Sequence, residues 1–435
     1  MQHKVVFLPI ELKAREFEAK TLLAFHLLQN GFDVVIGQQW EIYRQIQFLP
    51  KGFFIFKSHN AIHLPAIKAA KKLGHIVFAQ EEEILGITEF RMVEKNTNKD
   101  IYPLVDKILA SSEFEKECHL KRTTHKNKIE VVGNLRVDLL KAKYIEIFKD
   151  EMQKIKNEFG KFVLINTNYG TSNNQWGGID VLKDIEIKAG SFVDQDAINE
   201  FEDLIEWELI NRKEMHKAII ELAHKFKNIN FVIRPHPSEK IEPIVLLYKN
   251  FTNIYVKKVG SHLPWTKSSF FLMHSSCSTG YEGEILGKQT LNLVPRDIKH
   301  SQQNLSDKLS KKFRSADELI NYANNLLISS ENELYSNADL KKYSFFLENI
   351  LNNTAFDNIL RVINLFESSD AGYSFSLANF QIRHPRLVDK CDIKKNEILN
   401  LLNLLKNIEN KNINNLLVDE LGDSLFFLRT DKNHV

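Results

Sequence analysis

Cysteine is scarce in this chain: Cys118, Cys277 and Cys391 are the only three in 435 residues, and they lie far apart. No two of them have the spacing of a metal-binding or redox pair. A disulfide scaffold and a structural zinc site are therefore not expected, and no metal ligand set is read from the sequence. An excess of one charge is also missing. Lys and Arg total 58 against 56 Asp and Glu, a net +2 that gives no support for a general nucleic-acid binder. Long hydrophobic runs are absent too, since Phe53–Phe56 and Phe270–Met273 are strand-sized rather than bilayer-sized. The apolar run Val5–Ile10 meets Glu11 too soon to form the core of a signal peptide. The expected location is the cytoplasm, with peripheral contact at the inner face of the membrane as the most that charge suggests. The basic segment Lys116–Lys128 is the candidate for that contact, and a solvated basic face is its simpler explanation. Finally, no Gly-x-Gly-x-x-Gly follows the first apolar run, so the dinucleotide-binding signature is lacking.

Short apolar runs alternate with helical patterns. Val5–Pro9, Phe32–Gly37, Gly52–Lys57, Ile76–Ala79, Ile108–Ser111 and Ile129–Val132 read as strands. Leu12–Asn30 reads as a helix with a broad apolar face that stops at Gly31. A charged helix over about 138–159 precedes a second series: Phe162–Asn166, Phe231–Arg234, Ile254–Val256, Phe270–Met273 and Thr290–Val294. Such alternation predicts α/β architecture with parallel sheets covered by helices. At 43% hydrophobic and 26% charged residues, the chain is ordinary globular material with enough length for two cores. The expected divisions are a first Rossmann-like domain over 1–140, a linker helix over 141–160, a second Rossmann-like domain over 161–330, and a helical extension over 331–435. In that extension Ile398, Leu401, Leu402, Leu405 and Ile408 form an apolar stripe, expected as core or as the seam of an oligomer.

Two stretches beyond apolar runs concentrate polar chemistry. Arg234-Pro235-His236-Pro237-Ser238-Glu239 follows Phe231-Val232-Ile233. Each proline removes a donor and restricts its neighbour, so the strand stops and His236 is held stiffly, able to donate to a phosphate or a leaving oxygen. His274-Ser275-Ser276-Cys277-Ser278-Thr279-Gly280-Tyr281-Glu282 follows Phe270–Met273. There the hydroxyls of Ser275, Ser276, Ser278 and Thr279 precede an expected helix over Gly280–Leu286, whose free amides favour an anion. Glu282 in its first turn would repel phosphate and suits ribose hydroxyls instead. A rigid turn and a plain helix cap are the alternatives. Their succession at two strand ends points to a nucleotide-sugar site.

These stretches, with Leu8–Glu16, Gln80–Glu83, Val132–Asp138 and Asn166–Thr171, resemble the bacterial surface carbohydrate biosynthesis proteins, a group similar to the β-Kdo glycosyltransferases of capsule and O-antigen assembly. The resemblance implies a GT-B fold, two Rossmann-like domains facing a cleft, and a CMP-activated ulosonic acid (Kdo or a nonulosonic acid) as donor. It implies transfer to a glycan or lipid-linked glycan acceptor; no metal or separate cofactor is expected, since helix amides, hydroxyls and His236 would stabilise the departing phosphate. It also implies retention through an acidic nucleophile from the first domain, a place that falls on Glu82.

On the residues alone, Glu81, Glu82 and Glu83 remain competitors. Adjacent carboxylates repel, which raises the pKa of at least one if they are buried, and a solvated acidic loop is the alternative. Catalysis is thus expected from Glu82, Glu81 or Glu83 together with His236. Nucleotide binding is expected from Arg234, His236, Ser275, Ser276, Ser278, Thr279 and Glu282. Substrate contacts are expected from Glu11, Arg15, Arg136, Asn166, Asn168 and Tyr169: an arginine fork for a carboxylate, and amides with an aromatic face for sugar. Other readings of the same site are a CDP-glycerol or CDP-ribitol polymer transferase, a UDP-sugar 2-epimerase, and a non-catalytic partner in glycan assembly.

Overall fold

A computed structural model describes residues 4–82, 88–89, 93, 97–188, 192, 194–297, 299, 304–329, 340–351, 353–367, 387 and 390–430. It divides into two compact units. One comprises 1–85, 89–147 and 340–435, the other 86–88 and 148–339. After the division comes the helix Lys149–Phe159, preceded by a 3-10 turn at Ile145–Phe148.

The first unit carries an eight-stranded sheet in the order β13-β14-β2-β1-β3-β4-β5-β6. Its parallel strands are β1 Lys4–Ile10, β2 Phe32–Gln38, β3 Phe53–Phe56, β4 Ile76–Ala79, β5 Lys107–Ala110 and β6 Ile129–Val131. The chain order reverses between β1 and β3, where open α/β sheets place their sites. β1, β2 and β3 are apolar along nearly their whole length, as strands covered on both faces must be. The helix Lys13–Gln29 lacks a capping side chain at Leu12; its start is satisfied by Glu16, whose carboxylate accepts from the amides of Glu11 and Leu12.

The carboxy-terminal tail belongs to this first unit. The apolar stripe is present as the helix Lys395–Glu409, with Ile398, Leu401, Leu402 and Leu405 buried. The tail also contains a β-hairpin that its composition did not announce, β13 Leu416–Gly422 and β14 Leu425–Thr430, added antiparallel to the edge of β2. Leu425–Leu428 are buried there, which explains the pairing: the hairpin covers an edge that would otherwise be open. Asp138 ties the tail down further by accepting from the amides of Ala355 (2.8 Å) and Phe356 (3.3 Å) and from Asn349 Nδ2 (2.7 Å).

The second unit has six parallel strands in the order β12-β11-β10-β7-β8-β9. They are β7 Phe162–Asn166, β8 Asn230–Arg234, β9 Ile254–Val256, β10 Leu272–His274, β11 Thr290–Leu293 and β12 Lys312–Phe313. This is the Rossmann order, with its switch point between β7 and β10. Among the described residues no helix is long and apolar enough to cross a membrane.

Candidate functional site

The carboxyl ends of β7, β8 and β10 bring the second-unit residues together. Asn166 closes β7, in register with His274 on β10 and Arg234 on β8. Asn166 is 4% exposed, and neither its Oδ1 nor its Nδ2 has a hydrogen-bond partner among the described residues. Beyond it, Glu239 ties the loops after β7 and β8 to each other. Its Oε1 accepts from Thr167 Oγ1 (2.6 Å), the Tyr169 amide (3.1 Å) and the His236 amide (3.1 Å). Glu208 holds the same loop from the long helix Gln195–Lys225, accepting from the amides of Thr171 and Ser172.

The structure places His236 beside Ser238: the Ser238 amide donates to His236 Nδ1 (3.3 Å), and Ser238 Oγ lies 2.6 Å from the same nitrogen. In the contact with the Ser238 amide, Nδ1 is the acceptor. Gly170 makes this possible, since a Cβ there would sit 2.0 Å from Ser238 Oγ.

Arg234 is committed elsewhere. Its guanidinium donates to the carbonyls of Val259 and Gly260 at 2.8 Å each and lies over the Trp265 ring. Burial lowers its pKa to about 10, with Glu151 opposing. Proline spacing could not reveal that the side chain braces the loop after β9.

On the β10 side, Tyr169 OH is 3.0 Å from Ser275 Oγ, and Asn168 Nδ2 donates to the Ser276 carbonyl at 3.1 Å. Ser276 has a left-handed backbone, φ 45°. Its amide donates to Asn292 Oδ1 and its hydroxyl to Asp307 Oδ2, so surrounding contacts hold a conformation that a serine otherwise avoids. Ser278 and Thr279 are half-buried at the start of the helix Thr279–Ile285, and Thr279 Oγ1 donates to Cys277 Sγ. Glu282 is buried and pairs with His262 Nε2 at 2.9 Å.

In the first unit a charged network sits at the β1/β3 switch point. Lys57, just past β3, reaches Glu11 (2.7 Å) and Glu16 (3.2 Å). Lys20 reaches Glu16 (3.3 Å) and Glu82 (3.2 Å). Glu81 accepts from Ser58 Oγ. Burial, opposed by Lys20 and reinforced by Glu16, pushes the Glu82 carboxyl up to about 7. The cause is burial, with Glu16 rather than a neighbouring glutamate of the acidic run as the repelling carboxylate. Glu83 lies outside the described residues. Arg15 is half-buried in the first turn of Lys13–Gln29, and Arg136 belongs to this unit, in the turn Leu135–Asp138 capped by Asn134.

Lys20, Lys57 and Glu16 were not singled out from the sequence. The available signal was a Glu and a Lys one turn apart on the face of a helix otherwise rich in buried apolar residues. The basic segment 116–128 has partners of its own: Lys121 pairs with Glu89, and Lys128 donates to the carbonyls of Tyr102, Pro103 and Val105.

No protein-family model and no curated protein matches the chain. Solved structures do. The UDP-GlcNAc 2-epimerase of Methanocaldococcus jannaschii superposes with a TM-score of 0.52 at 14% identity, over 84% of this chain and 100% of its own. MnaA of S. aureus, solved with UDP, superposes with a TM-score of 0.51 at 13% identity, over 86% and 100%. The fold is therefore GT-B-like with two Rossmann-like domains. The expectation of a CMP-ulosonic acid glycosyltransferase is corrected by these likenesses, which fall to a UDP-GlcNAc 2-epimerase and to a protein solved with UDP. What persists of the resemblance is the fold.

Proposed function

We propose that the chain is an enzyme acting on a nucleotide sugar and, within that class, a UDP-sugar 2-epimerase whose second unit holds the nucleotide at the β7/β10 switch point. The observation that carries this reading is Asn166. A buried primary amide with both ends unsatisfied is unfavourable by a few kcal/mol, roughly 1–3 per group, unless a water or a ligand completes it. It stands where open α/β sheets bind ligands. The His236 imidazole after β8 and the Ser278 hydroxyl at the start of the helix Thr279–Ile285 are groups that suit phosphate. The likeness to a solved UDP-GlcNAc 2-epimerase and to a protein solved with UDP supports the choice of UDP over CMP.

Inverting the sugar carbon next to the anomeric one requires a proton to leave one face and another to arrive on the opposite face. That calls for an acid or base poised near neutrality. The test is calorimetry with UDP, CMP, CDP and GDP, followed by NMR of UDP-GlcNAc incubated with the protein in deuterium oxide. UDP is expected to bind best, with Asn166→Ala and His236→Ala weakening it, and deuterium to enter carbon 2 as a second UDP-sugar appears. Preference for CMP, or no nucleotide binding, would sink the reading. Tight UDP binding without exchange would remove the epimerase and keep the nucleotide-sugar class.

A further inference from the structure

A separate set of ligand-type groups lies buried in the first unit. His59 comes three residues after β3, and Glu115 and His119 stand one turn apart on the helix Glu113–Leu120. That spacing puts Glu115 and His119 on the same helix face. All three residues are 0% exposed, and one ligand atom from each lies within 4.8 Å of the other two. Glu115 Oε1 is 3.7 Å from His59 Nε2 and 3.5 Å from His119 Nε2. These separations are long for hydrogen bonds. They approach the edge, about 3.3 Å, of a tetrahedron built on metal–ligand bonds of ~2.0 Å.

Outer contacts orient each group. His59 Nδ1 is 3.0 Å from Thr97 Oγ1, and His119 Nδ1 is 2.9 Å from Tyr102 OH. Glu115 Oε2 accepts from the amide and the hydroxyl of Ser111, and Ser112 Oγ accepts from the Glu115 amide. With both Nδ1 atoms engaged, each ring presents Nε2 inward, the arrangement by which ligating histidines are held. Glu115 Oε1 and His119 Nε2 make no hydrogen bond with the described residues.

We propose that His59 Nε2, Glu115 Oε1 and His119 Nε2 bind one divalent transition-metal ion of the zinc type. Two imidazoles and one carboxylate favour such an ion over magnesium or calcium, which take oxygen ligands. The fourth position of a four-coordinate ion falls to water. The ion joins the segment after β3 to the helix after β5. Ser58, the neighbour of His59, donates to Glu81, so the same ion steadies the segment that holds that carboxylate. The sequence suggested no metal site because His59 lies 56 residues before Glu115, and a lone Glu and His one turn apart on a helix are not a ligand set by themselves.

The test uses the full-length protein, stripped with a chelator and titrated with Co2+ alone. One equivalent is expected to bind with the visible d–d bands of a four-coordinate nitrogen–oxygen site, without thiolate charge transfer, and to be displaced by Zn2+. Glu115→Gln and His119→Gln are each expected to weaken binding by more than about tenfold, and Cys118→Ser to leave it unchanged. Thr97→Val keeps every ligand and removes only the outer partner of His59. It serves if the ligand variants do not fold, with an expected loss of about tenfold. The proposal is overturned if the wild-type protein takes up no Co2+, if folded variants bind it as well as wild type, or if thiolate bands appear.

Discussion

Glu239→Ala is the substitution expected to damage the second-unit site most without replacing Asn166 or His236. The Glu239 carboxylate is 1% exposed and accepts from Thr167 Oγ1, the Tyr169 amide and the His236 amide through a single oxygen. Alanine leaves two backbone amides and one hydroxyl without their acceptor. A hydrogen bond to a charged group contributes about 1.5–3 kcal/mol, and each stranded buried donor costs about 1–3 kcal/mol. Three such bonds share one acceptor and one cavity, so they do not add fully, and roughly 3–5 kcal/mol is expected. For a domain of this size that is a fall of roughly 10 °C in Tm. Glu239→Gln keeps an amide oxygen for the same three donors and is expected to lose about 1 kcal/mol. The assay is scanning calorimetry together with hydrogen exchange over residues 166–175 and 234–240. Exchange there should accelerate in the alanine variant, and nucleotide affinity should fall with it. If Glu239→Ala changed stability by less than about 0.5 kcal/mol and left exchange at these loops unaltered, the assignment of Glu239 as the tie between them would be wrong.

Two further outcomes follow from the same geometry. Because burial raises Glu82 from 4.5 to about 7, the folded state binds the extra proton. Its contribution is therefore present below about 4.5 and lost as pH rises through about 7, by up to about 3 kcal/mol. Glu82→Gln should flatten that part of the stability profile in urea melts between pH 5 and 8, and an unchanged slope would refute the shift. Gly170→Ala should destabilise the loops because its Cβ meets Ser238 Oγ at 2.0 Å, whereas Gly170→Ala combined with Ser238→Ala should recover part of the loss. Strict additivity in chemical denaturation would show that the contact does not matter.

The strand ends were legible because apolar runs punctuated by Pro, Gly and Ser obey local rules. Phe162–Asn166 and Ile76–Ala79 are strands with the expected limits, and the segment after Met273 does turn into a short helix. Side-chain partners were not legible. Arg234 looked like an anion ligand from its place after a strand, but two carbonyls and a tryptophan ring occupy it. Glu239, given no role from the sequence, is an acceptor for two separate loops. In each case the deciding partner lies on another segment.

By itself the sequence determined the alternation of strand and helix, the two series of parallel strands and the edges at which polar groups gather. Periodicity and turn chemistry act over a few residues and are written in order along the chain. The tertiary structure alone decided which charges are buried together, as with Lys20, Lys57, Glu16 and Glu82, and which amide is left unsatisfied, as with Asn166. It alone seated the hairpin Leu416–Thr430 on β2 and gathered His59 with Glu115 and His119. Those outcomes depend on desolvation and on contacts between residues hundreds or tens of positions apart, which no local pattern encodes.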